Sequence, residues 1–284
     1  MTFRSHLVIV HITVFILGMT GLFAKFIPVS PWTIIAGRSF FTVLSLGLVL
    51  LVLRKSFGFG SFRNACILGL SGCVLALHWY TFFHSIQLSS VAIGVIGFST
   101  YPIFVTFIEP LIFKERLKWQ DVLSGCLVFL GLLFVVPEFS FSNTDTIALG
   151  WSVLAGFTAA MFTMINRKLT RNNYFVTITF YQHIVALLCT LPLVWSFSLW
   201  PNVGQLFLLL ILGVIFTALP QALLNKSLEV VKAQLISVLI GLEPIYSIIF
   251  AVILLNEIPS ISTVFGGAII LFAVIFATIS HKSY

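Results

Sequence analysis

Apolar residues in this chain come in ten long runs separated by short polar stretches. The runs are approximately Leu7 to Phe26, Trp32 to Leu53, Asn64 to Leu88, Val91 to Phe113, Trp119 to Val136, Ala148 to Asn166, Phe175 to Trp195, Val203 to Asn225, Ala233 to Leu255, and Ile261 to Ser280. A helix needs about 20 apolar residues to cross a hydrocarbon core roughly 30 Å thick, and these runs fit that length. The first follows a basic residue, Arg4, as a secretory leader would. It lacks a small-x-small cleavage site and is long enough to span, so it reads as the first helix. The pattern predicts an all-α membrane protein with ten transmembrane helices.

The runs repeat. Glu243 and Pro244 stand together in the middle of the ninth, a carboxylate beside a helix breaker, and both are costly inside a membrane. Thirteen residues after Pro244 comes Glu257, and ten after that Gly267; thirteen residues after Pro102 comes Glu115, and ten after that Gly125. Val122 falls on Val264 at the offset that places Gly125 on Gly267, and Ser85 to Ala92 lies against Lys226 to Ala233 once one residue is inserted. Further back, Pro31 to Leu53 matches Tyr174 to Trp195 in apolar pattern only, with Arg38 opposite Gln182. The chain therefore divides into two related five-helix halves, 1–140 and 145–284, joined near Ser140 to Asp145.

Composition agrees with a lipid environment. Hydrophobic residues make up 60% of the chain and charged ones 8%, against roughly 25% charged in a soluble domain. The net charge of +7 is no sign of nucleic-acid binding, because the cations sit in loops. With the N-terminus inside, the inner segments hold Arg4; Arg54, Lys55 and Arg63; Lys114, Arg116 and Lys118; Arg167, Lys168 and Arg171; Lys226 and Lys232; and Lys282. The outer loops hold Lys25 alone, and Arg38 lies within the second helix. Loops rich in Lys and Arg stay cytoplasmic, which predicts a multi-pass protein of the cytoplasmic (inner) membrane with both termini inside. Five helices per half then make the second half cross in the opposite sense. The loops agree: Lys114-Glu115-Arg116-Leu117-Lys118 and its equivalent Asn256-Glu257-Ile258-Pro259-Ser260 share the glutamate but not the cations. Inverted repeats of this kind are a secondary-transporter architecture, with the substrate at the midplane where discontinuous helices meet.

Lys25 closing the first helix, Arg38 within the second, and the doubled Pro, Glu, Gly pattern resemble the drug/metabolite transporter superfamily, EamA type. Tyr101-Pro102-Ile103-Phe104 with Lys114-Glu115-Arg116-Leu117, and Leu242-Glu243-Pro244-Ile245 with Asn256-Glu257, are similar to its two signature segments. The second segment departs from the pattern in ending Asn-Glu rather than Gly-Glu. The resemblance covers essentially the whole chain and implies a ten-helix transporter that exports amino acids, metabolites or other small organic solutes.

Depth and helical face single out residues for a pathway. Glu243, eleven residues after Lys232 and fourteen before Glu257, is central, and so are Tyr101, His78, Gln182 and His183. Ser71, His78, Thr81 and Ser85 share one face of the third helix, Glu243, Tyr246 and Ser247 one of the ninth, and Thr217, Gln221 and Asn225 one of the eighth. The candidate substrate-binding set is Glu243, Tyr101, His78, Tyr246, Gln182, Arg38, Trp79 and Ser247, with His78-Trp79-Tyr80 as an aromatic wall. Arg38 is expected inside the protein, with Glu243 or an anionic substrate group as partner. Tyr101-Pro102 and Glu243-Pro244 are expected to face each other as related helix breaks, each proline leaving free the carbonyl four residues earlier. The alternative for Glu243 is a structural hydrogen bond to such a carbonyl. Glu109 reads as an interface residue, and Glu115 and Glu257 as loop-orienting ones.

The four cysteines, Cys66, Cys73, Cys126 and Cys189, lack metal-ligand spacing and read as packing residues, so no cofactor is implied. An intramembrane enzyme is disfavoured, since His-Glu-x-x-His, Gly-x-Ser-x-Gly and paired intrahelical aspartates are absent. With no ATP-binding P-loop, pumping must draw on a gradient, protons being the candidate coupling ion. The expectation is a secondary active transporter of a small-molecule substrate, surrounded by membrane lipid. A passive facilitator or channel is the alternative.

Overall fold

The computed structural model describes residues 3–58, 60–113, 119–135, 140, 142–197, 200–231 and 233–282. Glu115 with its flanking Lys114, Arg116 and Lys118, and also Lys232, lie outside these. The described chain is helical: α1 (Phe3–Leu17), α2 (Phe23–Phe26), α3 (Pro31–Val52), α4 (Phe62–Leu88), α5 (Val91–Phe98), α6 (Tyr101–Phe113), α7 (Trp119–Val135), α8 (Thr144–Leu169), α9 (Phe175–Ser196), α10 (Val203–Gly213), α11 (Leu219–Leu228), α12 (Ala233–Ile240), α13 (Glu243–Leu255) and α14 (Ile261–Lys282). Lipid cannot satisfy backbone amides, so apolar runs of this length fold as helices. Their starts are fixed by side-chain caps in the loops: Ser30, Ser61, Ser90, Asn143 and Asn202 each accept from a first-turn amide.

Each run of the sequence corresponds to one rod of the bundle. Seven described segments are long and apolar enough to cross a membrane, and Val122–Val135, Glu243–Leu255 and Ile261–Ala273 are shorter apolar helices in the remaining three runs. Several rods are discontinuous. The fourth breaks between α5 and α6 just before Pro102, and the ninth between α12 and α13 just before Pro244, each where a proline withholds an amide, whereas Pro110 and Pro192 lie within α6 and α9 without such a break. Two further irregularities were not anticipated. The first rod is interrupted after Leu17 and resumes through a short 3₁₀ turn, Thr20–Leu22; the eighth carries one turn of π-helix, Val214–Ala218, between α10 and α11.

Backbone groups freed at these irregularities are met by neighbouring helices. Ser247 Oγ donates to the Gly18 carbonyl at 2.9 Å, Thr20 Oγ1 to the Phe216 carbonyl at 3.4 Å, and Thr42 Oγ1 to the Gly213 carbonyl at 2.8 Å. Phe216 is the residue whose carbonyl Pro220 cannot bond. Ser152 Oγ likewise donates to the Gly94 carbonyl in α5. Gly156 of α8 lies against the α5–α6 break; a Cβ there would stand 2.6 Å from Thr100 Oγ1 and 3.1 Å from the Tyr101 amide nitrogen.

The packing is symmetric. α4 packs on α8 as α11 packs on α1; α4 packs on α9 as α10 packs on α3; α5 and α6 pack on α8 as α12 and α13 pack on α1. The self-related pairs α3 with α9, α7 with α14, and α5 with α13 complete the set. Each of these pairings maps onto another or onto itself when each rod is exchanged for its equivalent in the other half, the relation of two inverted five-helix repeats; the packing of α14 on α5 and α6 departs from it, having no comparably extensive equivalent between α7 and α12 or α13. The buried apolar core joins residues of both halves, from Val10 and Ile34 to Ile236 and Ala251. Long apolar side chains such as Leu48, Leu51, Phe129, Phe207 and Ile253 point outward, the surface a lipid-embedded bundle presents. All four cysteines are exposed and free. They face outward rather than packing into the core, with Cys73 and Cys189 Sγ 3.9 Å apart on adjacent rods.

Candidate functional site

The irregularities converge on one cavity. Leu17 at the end of α1, Phe98 and Tyr101 across the α5–α6 break, Phe216 and Thr217 in the π turn, and Ile240 and Glu243 across the α12–α13 break all line it. Its volume is ≈ 90 Å³. Arg38, His78, Trp79, Thr163, Asn166, Gln221 and Asn225 supply the rest of its polar and charged lining. The two proline-linked breaks therefore meet across one space, with the Tyr101 phenol from one and the Glu243 carboxylate from the other.

Arg38 is fully buried. Its Nε and Nη2 both donate to Thr217 Oγ1, at 3.0 and 2.6 Å, while Thr217 donates to the Leu212 carbonyl at 2.6 Å, a bond its place in the π turn permits. The guanidinium carbon lies 3.5 Å from the Trp79 ring centroid and 5.4 Å from that of Phe83. Gly213 makes this approach possible, since a Cβ there would stand 2.7 Å from the Arg38 carbonyl oxygen. Arg38 Nη1 and Trp79 Nε1 are both buried without a hydrogen-bond partner. Arg38 is thus inside, as expected, but its protein partners are a hydroxyl and an indole face; no carboxylate pairs with it among the described residues.

Glu243 is 5% exposed and likewise unpaired: no described cation or hydrogen-bond donor meets its carboxylate. The structural hydrogen bond considered for it is absent among the described residues. The Tyr101 hydroxyl shares a hydrogen bond with Thr163 Oγ1 at 2.9 Å, and its ring stacks on Phe98 with centroids 5.8 Å apart. His78 Nδ1 donates to the Ala155 carbonyl at 3.0 Å.

A belt of amides runs behind the cavity. Gln221 Nε2 donates to Gln182 Oε1 at 3.1 Å, Gln182 Nε2 to Ser71 Oγ and Asn166 Oδ1 at 2.6 and 2.5 Å, and Asn166 Nδ2 to Asn225 Oδ1 at 2.9 Å. It ends at Thr179, which accepts from Asn225 Nδ2 at 2.9 Å. At the other end, His183 bridges Gln221 Oε1 and Ser39 Oγ, both at 3.1 Å. Five rods are tied at one depth by a satisfied network, and Gln221, Asn166 and Asn225 turn one edge of it to the cavity.

Of the residues singled out from sequence, Glu243, Tyr101, His78, Arg38 and Trp79 are brought together in the lining. Gln182 is one bond removed, within the belt. Tyr246 and Ser247 turn to the first rod instead, Tyr246 edge-on to Phe15 at 5.3 Å and Ser247 on the Gly18 carbonyl. Tyr80 does not continue the aromatic wall, because it stacks on Trp32 at 4.0 Å. Phe82, Phe98, Phe162 and Phe216 complete the wall with Trp79 and Tyr101. Asn166 and the π turn were missed; their legible signals were an amide closing an apolar run and Pro220 inside another.

Both ends of the bundle are tied. At one, Lys25 Nζ donates to the Ser89 carbonyl at 2.6 Å and lies 3.9 Å from Glu257, which accepts from the Val91 amide at 2.9 Å; Ser89 Oγ donates to Asp145 at 2.5 Å. Glu257 is therefore the loop-orienting residue expected of it. At the other, Arg167 pairs with Glu109, and Asn64 donates to Asn173 at 2.6 Å.

The model of the EamA-like transporter family matches residues 5–136 and again 146–279. A curated S-adenosylmethionine uptake transporter of Rickettsia prowazekii (strain Madrid E) is 27% identical over 214 residues, 75% of this chain and 71% of its own. The pseudopaline exporter CntI of Pseudomonas aeruginosa (strain UCBPP-PA14) is 27% identical over 236 residues, 83% of this chain and 82% of its own. Among solved structures, a protein crystal structure superposes with a TM-score of 0.74 at 14% identity, covering 100% of both chains, a likeness of fold alone.

Proposed function

Because this chain belongs to the EamA-like transporter family and is a multi-pass membrane transporter of small solutes, we propose that it is a secondary active exporter. Its substrate is a small organic molecule carrying both an anionic and a cationic group. The observation behind this reading is the pair of buried ionisable side chains, Arg38 and Glu243, that line one cavity without pairing with each other or with another charged group among the described residues. An uncompensated buried charge costs several kcal/mol, and a ligand with charges of both signs offsets both costs at once. Its anionic end meets Arg38 Nη1 and Trp79 Nε1, the two unpartnered donors. The cationic end meets Glu243, and a proton takes that place when the substrate leaves. Tyr101 and His78 orient the molecule between them.

Export is the direction that the exporter relative, matched over 83% of this chain and 82% of its own, supports. The cation-rich loops support a cytoplasmic-membrane topology with both termini inside, built from halves 1–140 and 145–284. On that topology the Lys25–Glu257 clasp closes the outer end. An export screen of metabolites in overexpressing cells identifies a solute; its accumulation in inside-out vesicles then tests the mechanism. We expect accumulation that an uncoupler abolishes. Glu243→Gln should exchange substrate down its gradient but fail to accumulate it. A passive pathway would equilibrate the solute with or without the uncoupler, and normal pumping by Glu243→Gln across a range of pH would return the carboxylate to a structural role.

A further inference from the structure

A second cleft opens where the segment joining α3 to α4 meets the segment joining α8 to α9. Its volume is ≈ 710 Å³, and Lys55, Arg63 and Lys168 line it with Asn172 and Tyr174. The cations come from both halves of the chain, so their convergence is a product of tertiary packing and not of one basic loop. No Asp or Glu is among the described residues lining it, and none of the three cations forms an ion pair among the described residues. Arg167, beside Lys168 in sequence, is by contrast paired with Glu109. Three like charges around one cleft repel one another, and no described carboxylate offsets that cost.

The cleft is also held in shape. Asn64 and Asn173 exchange amide hydrogen bonds of 2.6 and 3.2 Å across it, Thr177 Oγ1 donates to the Ser56 carbonyl at 3.3 Å, and the Tyr181 hydroxyl donates to the Phe57 carbonyl at 2.6 Å. The Lys55 ammonium rests 5.4 Å from the centre of the Tyr174 ring. Beside the cleft the surface turns apolar: Leu53 at the end of α3 is 51% exposed and Phe62 at the start of α4 is 83% exposed. A membrane-embedded bundle presents such side chains to acyl chains. The cleft thus joins a cationic, hydrogen-bonding recess to a lipid-facing apolar lip at one end of the bundle.

We propose that this cleft is a binding site for an anionic phospholipid, with the phosphate held by Lys55, Arg63 and Lys168 and an acyl chain lying along Leu53 and Phe62. The apolar lip favours a lipid over free phosphate, for which the cations alone would suffice. The site is separate from the central cavity, and its assignment does not depend on the transport direction or substrate.

The test uses the full-length protein in detergent, with native mass spectrometry counting retained lipid after exposure to phosphatidylglycerol or phosphatidylcholine. We expect selective retention of phosphatidylglycerol. The combined variant Lys55→Gln, Arg63→Gln, Lys168→Gln should bind it about a hundredfold more weakly, given roughly one kcal/mol per basic residue near an anionic headgroup. A control losing the same charge elsewhere, Arg54→Gln, Arg171→Gln, Lys226→Gln, should retain it. Unchanged thermal unfolding of both variants verifies their fold. Equal retention of the two lipids, or equal loss in both triple variants, overturns the site. Displacement of the lipid by glycerol phosphate at equal concentration would assign the cleft to free phosphate compounds and overturn the lipid assignment.

Discussion

Arg38 shows what a single position contributes. Its planar fork places two nitrogens on Thr217 Oγ1 while the third is held against the indole of Trp79 without a partner. A lysine keeps the charge and three donors but gathers them on one nitrogen, so it cannot hold Thr217 with two nitrogens and place a third donor where Nη1 stands. On the reading that Nη1 meets the substrate's anionic group, Arg38→Lys loses a charge-assisted hydrogen bond, about 1.5–3 kcal/mol, or roughly ten- to more than a hundredfold in apparent affinity. The concentration dependence of transport measures this directly. Arg38→Ala should abolish transport and lower the yield of folded protein, since Thr217 and Trp79 lose their common contact. Wild-type affinity in both variants would remove Arg38 from the site.

At the scale of the element, the site is a consequence of where helices fail to continue. Pro102, Pro244 and Pro220 each withhold an amide, and the chain answers with a break, a break and a π turn, all bordering the cavity. Close packing turns these irregularities into a site. Gly213 lets the start of the π turn approach α3, which brings Thr217 to Arg38. Gly213→Ala would put a Cβ 2.7 Å from a backbone oxygen that has little room to yield. We expect a loss of about 1–3 kcal/mol from overpacking, read as a lower unfolding temperature in detergent and a weaker substrate affinity. Gly150→Ala is the control: nothing lies within 4 Å of a Cβ there, and alanine gains up to about 1 kcal/mol in helix propensity.

For the whole molecule, the pairing of rods described above repeats under exchange of the two halves, so the two proline-linked breaks, one with a phenol and one with a carboxylate, are carried to one cavity by symmetry rather than by chance. The symmetry also predicts where the loops lie. Single cysteines at Arg171 and Pro259, in a variant with the four native cysteines replaced by alanine, should label from the cytoplasmic and outer sides respectively. The replacements themselves should cost little, because all four native side chains are exposed. Labelling of both positions from the same side would overturn the topology derived from the loop cations.

The order and extent of the rods could be read from the chain, as could the two breaks before Pro102 and Pro244, the interior position of Arg38 and the loop-orienting part of Glu257. Each depends on one residue's own chemistry: apolar length against bilayer thickness, a missing amide, the cost of a charge in lipid. Which side chain meets which could not be read in the same way. Arg38 finds Thr217 and Trp79 rather than Glu243, Gln182 is absorbed into an amide belt, and Tyr246 and Ser247 attend to the first rod although they follow Glu243 in the chain. Helical periodicity states which residues share a face, but the neighbour that face meets is chosen by the packing of many rods at once. In a membrane, where apolar surface has lipid as an alternative partner, close approach through residues such as Gly213 and Gly156 decides that choice.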